Sequence, residues 1–165
     1  MPLIRSTLGH PVTAGISVVV NGRFFQHGLY RGTPSLLALE PQGASPFQLV
    51  SALPLPGLRH LAVAGQKAII KGIGWLSVVD ISDATNLRFH GMTPVPTGDN
   101  NSRDVLAVSG THAYVVQGYY SPDQFGGRTG RIIVVDFSDP TKPRIVGEQP
   151  LPPKTATWFS LSAAA

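Results

Sequence analysis

The chain has 165 residues, a formal net charge of +4 and no cysteine, which suits one compact domain with its own core and excludes disulfides, thiolate metal sites and a cysteine nucleophile. Glycine and proline number 18 and 15, while only 13% of residues are charged, about half the usual share. The first figure implies many short elements separated by turns; the second means that solubility rests on Ser, Thr, Gln, Asn and exposed backbone, or that surface is covered by a partner.

Residues 1–79 hold six Lys or Arg against one acid, Glu40, and residues 80–165 hold seven against eight. The six cations, Arg5, Arg23, Arg31, Arg59, Lys67 and Lys71, are dispersed singly rather than clustered on one element. They read as a solvated face rather than a nucleic-acid site. The opening MPLIRSTLGH lacks the apolar run of a signal peptide, and no run approaches the ~18 apolar residues of a membrane span. The chain as given is expected to be soluble or already processed, with no membrane span.

Taken in chain order, the first predicted strands are ISVVV, closed by the hairpin pair Asn21-Gly22, then RFF, then SLLALE at residues 35–40. The second set is HLAVAG ending at Gly65, AII, and LSVVD ending at Asp80. The third is VLAVSG ending at Gly110, AYVV, and IIVVD ending at Asp136. Val, Ile, Phe and Tyr dominate these segments and none sustains i, i+3, i+4 spacing, so they read as strands. Asn-Gly favours a two-residue hairpin, and Ser138-Asp139-Pro140 places proline where a type I turn wants its preset φ. Asp83 and Asp139 are suited to accept backbone N–H bonds in those turns.

The elements repeat. WLSVVDISDATNLRFHG at residues 75–91 and RIIVVDFSDPTKPRIVG at 131–147 match without a gap at eight of seventeen positions. A weaker copy, SLLALEPQGASPFQLVS at 35–51, puts Glu40 in the place of Asp80 and Asp136. From each acid it is fourteen residues to one proline and sixteen to another, giving Pro54/Pro56, Pro94/Pro96 and Pro150/Pro152; the turn glycines 22, 65 and 110 recur after 43 and then 45 residues. The units fall at about 11–56, 57–96 and 97–152, with a tail over 153–165. Each holds four strands whose third member is apolar on both faces, so each sheet must stack between copies of itself, as the 40–45-residue blades of a β-propeller do. The Pro-x-Pro fits a crossover between blades, because proline stops pairing and holds the chain extended. The predicted fold is all-β, with about three four-stranded antiparallel blades.

LSVVDISDATNLRFHG and IIVVDFSDPTKPRIVG, with the preceding RDVLAVSGTHAYVV, resemble the LVIVD repeat found in β-propeller regions of bacterial and archaeal secreted or surface proteins. Two units resemble it well, over roughly residues 58–152; the first departs from the pattern at Glu40-Pro41-Gln42-Gly43. The resemblance implies a propeller fold and an extracellular or cell-surface address, and it carries no catalytic residue across. A closed ring typically needs at least four blades. Completion by a second chain, continuation in a longer protein, and an open wedge capped by its own terminal segments are the three solutions.

Turn glycine to acid takes 18, 15 and then 26 residues, so the third unit carries an insertion in QGYYSPDQFGGRTGR, residues 117–131. Tyr119, Tyr120, Phe125 and Arg128 are recognition-type side chains on a long loop, the candidate ligand or glycan contact; the alternative is a flexible hairpin with incidental aromatics. GGRTG lacks the Lys-Ser or Lys-Thr pair and the helix of a phosphate loop. The histidines at 10, 27, 60, 90 and 112 have no metal-ligand spacing, and neither a metal site nor a cofactor is implied. His60 and Asp104 near the starts of first strands are a weaker candidate, since lone polar residues there are usually solvated or bonded to backbone. Asp80 and Asp136 suggest an acid pair, but a residue recurring in each blade is better explained by a turn that each blade needs. Asn100-Asn101-Ser102 is a glycan-acceptor sequon that matters only on an exported chain. TATWFSL alternates and suits an added strand that would bury Trp158 and Phe159 at an interface. The expected function is therefore a non-enzymatic, extracellular structural or adhesive repeat protein that self-associates into an oligomer or fibre. A ligand-binding propeller, and a fragment of a larger propeller protein or enzyme, are the alternatives.

Overall fold

The computed structural model describes residues 17–42, 45–97, 104–119 and 129–151. The first antiparallel sheet contains β1 (Ser17–Val20), β2 (Arg23–Tyr30), β3 (Thr33–Gln42) and β4 (Ser45–Pro54); the second contains β5 (Leu58–Ala64), β6 (Lys67–Gly72), β7 (Trp75–Asp80) and β8 (Arg88–Pro94). The third contains β9 (Val105–Ser109), β10 (His112–Tyr119), β11 (Thr129–Asp136) and β12 (Arg144–Leu151). In each sheet the strands pair in sequence order, and no helix occurs among the described residues. These are the three predicted four-stranded blades.

Turn chemistry explains the meander. Asn21 and Gly22 both adopt positive φ, 51° and 76°, which the type I′ hairpin between β1 and β2 requires. Gly65 and Gly110 sit at φ 59° and 55° in the corresponding turns. Strands three and four are joined in the second and third blades by a wider turn. There the Asp80 carboxylate accepts a bond from the Ser82 N–H at 2.8 Å, and Asp83 accepts from the Thr85 N–H and hydroxyl at 2.9 and 2.6 Å. Asp136, Asp139, Ser138 and Thr141 repeat the pattern at 2.8, 3.0 and 2.6 Å. In the first blade β3 and β4 instead run on to a Gln42–Ser45 pairing. A hairpin replaces the turn there.

A β-bulge recurs at one position of the repeat, between Ala38 and Leu39, Val78 and Val79, and Val134 and Val135. Val50, His90 and Val146 are the extra residues on the fourth strands. A bulge bends its strand and increases local twist, and this one recurs in every blade; further irregularities fall between Glu40 and Gln42 in the first blade and between Leu58 and His60 in the second.

Two cores lie between the blades. Phe25, Leu36 and Ala38 of the first blade pack with Leu61, Ala68, Ile70 and Val79 of the second. Ile69, Leu76 and Val78 of the second pack with Ala113, Val115, Ile133 and Val135 of the third. Neighbouring residues along β6 and β7 thus serve opposite cores, as strand alternation demands. Burying a large aliphatic side chain is worth roughly 1.5–3 kcal/mol, and the middle blade does so on both faces. The first strands β1, β5 and β9 are adjacent, as the inner strands of a propeller are. The residue between the two prolines of the crossover adds an anchor: Leu55 and Val95 are buried, and their N–H groups donate to Pro34 and Gly74 carbonyls at 2.9 and 3.0 Å.

Candidate functional site

Most sequence-predicted contact residues lie outside the described part of the chain. Tyr120, Phe125, Arg128, Asn100, Trp158 and Phe159 all do. Tyr119 is the last residue of β10, its backbone paired with Thr129; residues 120–128 lie outside the described residues.

The structure assembles a polar group from His60, Lys71 and Asp104. β5 and β6 bring His60 opposite Lys71, and Lys71 Nζ reaches 3.3 Å from Asp104 Oδ2 just ahead of β9. The Lys71 side chain is only 2% exposed, which corrects its assignment to a solvated face. Its ammonium also donates to the Gly72 carbonyl at 2.7 Å. Asp104 Oδ1 is buried without a hydrogen-bond partner. Burial is the main force holding the His60 pKa below its ordinary value; Asp104 opposes it, and Lys71 and Arg59 reinforce it. Removing a charge from water is costly unless it is paired, so this ion pair ties the second blade to the third. At the same seam Gln117, fully buried, donates to the Pro96 carbonyl at 2.6 Å and accepts from Arg131 Nε at 2.9 Å. Arg131 also bonds Glu148 at 2.7 Å. The chemistry is that of an interlock.

Asp80 and Asp136 are committed to turns. Backbone N–H donation from Ser82 and Ser138 is the largest cause holding each carboxyl below the usual carboxylate range. Asp83 and Asp139 are held low chiefly by the hydroxyls of Thr85 and Thr141. A hydrolytic acid needs a raised pKa, whereas all four are shifted the other way.

The remaining feature is an open sheet face. On the third blade, Ala113, Val115, Ile133 and Val135 face the second blade; the alternate residues Tyr114, Val116, Ile132 and Val134 therefore point away from it, and all are only half-buried. Val105 on the same side is 44% exposed. In the second blade the equivalents of Tyr114, Ile132 and Val134 are Ile69, Leu76 and Val78, each completely covered by the third blade. The first blade has an open face too. Val19 is 59% exposed, and Phe24, Leu39, Phe47 and Leu49 are half-buried, with the Phe24 and Phe47 rings packed edge to face at 4.3 Å.

Residues 61–93 and 127–149 match the family model of the LVIVD repeat. The second and third blades carry LVIVD repeats. No curated protein matches the chain. In LVIVD terms, the matched stretches run from the first strand of the second blade to its fourth, and over the third and fourth strands of the third blade. The first blade lies outside both, in keeping with its Gln42–Ser45 hairpin. Sequence reasoning placed the LVIVD turns and strands, but it missed Lys71, whose charge in the apolar segment AIIK was the available signal.

Proposed function

We propose that this chain is a non-enzymatic, propeller-type LVIVD repeat protein with a structural or adhesive role outside the cell, assembling through its open blade faces into an oligomer or fibre. The observation that carries this proposal is the third blade's outward face. Its Tyr114, Ile132 and Val134 hold the positions that the second blade buries completely as Ile69, Leu76 and Val78, yet they are half-covered. Apolar contiguous sheet surface of this kind is a docking surface or an aggregation hazard. Low overall charge agrees with a surface meant to be covered. The extracellular half of the proposal follows from the resemblance of the repeats.

Light scattering across a hundredfold dilution, with negative-stain images of the same sample, tests it. A dimer, ring or filament that persists on dilution is expected. A monodisperse monomer near 17.5 kDa at micromolar concentration overturns it.

A further inference from the structure

Ser51, Gly91 and Gly147 occupy one position of the repeat, each eleven residues after Glu40, Asp80 or Asp136 and each directly following the bulge residue of the fourth strand. They pair with Ala38, Val78 and Val134 respectively, so all three point to the same side of their blades. The first two positions are occupied by the next blade. Ser51 Oγ donates to the Ala84 carbonyl at 2.5 Å. A Cβ on Gly91 would lie 2.4 Å from the Thr141 carbonyl oxygen and 2.8 Å from that of Pro140. Ala84 and Pro140 are themselves equivalent, four residues after their acids. Each seam is thus registered by a small residue on one outer strand receiving the backbone between strands three and four of the next blade.

Among the described residues, a Cβ on Gly147 would meet only Val134 of its own sheet, at 3.8 Å. No described residue fills this seat. Val134 pairs with Gly147 and Tyr114 with Val134; the same apolar face continues through Ile132 to Val105 on the far edge strand, β9.

We propose that Gly147 is the seat for the first blade of a second copy of this chain, whose β3–β4 hairpin takes the place that the Pro140-Thr141 turn takes against Gly91. This deepens the assembly proposal and rests on it. The first blade is the fitting occupant because its outward face, with Val19, Phe24, Leu39, Phe47 and Leu49, is the counterpart of the faces that the second and third blades present to their predecessors. One contact of this kind covers the third blade of one copy and the first of the other. Repetition of the blade-to-blade rotation makes the contact head-to-tail, which closes into a ring or continues as a fibre.

The test compares assembly of the wild-type chain and Gly147→Trp by light scattering, with circular dichroism to establish folding. Overpacking the seat is expected to weaken assembly by about tenfold to a hundredfold. Because the chain has no cysteine, a second measurement stands independently of that variant: Gly147→Cys and Gln42→Cys chains are mixed and treated with a short bismaleimide. A crosslinked dimer requiring both variants is expected. A wild type that assembles while Gly147→Trp assembles equally well, or Gly147→Cys that crosslinks as strongly alone, overturns the seat and leaves the assembly proposal standing. A monomeric wild type overturns both.

Discussion

Gly91 of the second blade lies against the Thr141 carbonyl of the third so closely that there is room for a hydrogen and not for a methyl group. A Cβ there would stand 2.4 Å from the oxygen. Gly91→Ala is therefore expected to destabilise the chain by about 1–3 kcal/mol, the usual cost of forcing extra volume into packed structure. Gly147→Ala, at the equivalent open position, is expected to be neutral or slightly stabilising, because glycine in a strand interior costs roughly 0.5–1 kcal/mol relative to alanine. Urea unfolding of both variants checks the contrast, and equal losses would contradict it.

The Lys71–Asp104 pair should behave as a buried ion pair. Lys71→Met leaves Asp104 without its cation, and Asp104→Leu leaves an ammonium that is 2% exposed with only the Gly72 carbonyl. Each single change is expected to cost about 3 kcal/mol or more, and the double variant less than the sum. A double-mutant cycle by chemical denaturation measures this. Additive losses would mean that the two charges do not interact.

Stability should fall as the pH drops below about 6.5. Burial lowers the pKa of His60 and of His27, so in the window just under the ordinary histidine value the unfolded chain binds more protons than the folded one, and the folded state loses stability. His27→Leu combined with His60→Leu is expected to flatten this dependence between pH 5 and 7. Denaturation midpoints measured across that range give the answer, and an unchanged slope would exclude these two residues as its source.

A second acid step should appear at lower pH. Asp80, Asp83, Asp136 and Asp139 all have lowered pKa values from hydrogen bonds within their turns. Their contribution is complete above the ordinary carboxylate range and is lost as pH falls through the lower folded-state values. Asp83→Asn with Asp139→Asn should weaken this step, visible as a smaller loss of thermal midpoint between pH 4 and 2.

What the sequence by itself determined was periodic and local. Alternating Val and Ile, turn glycines at 22, 65 and 110, and the Ser-Asp-x-Thr segments specify strand, hairpin and turn, because each depends on φ/ψ preference and hydrogen bonds among residues close in the chain. The recurrence of those signals was enough to require stacking of four-stranded sheets. Lys71 shows where such reading stops. Its place at the end of the apolar AIIK hints at burial, but the sequence does not show its partner: only the arrival of Asp104 from the next blade, over thirty residues on, makes burial tolerable. Leu55 and Val95 are likewise read as links between prolines until neighbouring sheets close over them. Gly91 and Gly147 are indistinguishable as letters in the repeat. Among the described residues one is filled and the other is not, because packing between blades, unlike pairing within a strand, is decided by which surfaces the chain has left to meet.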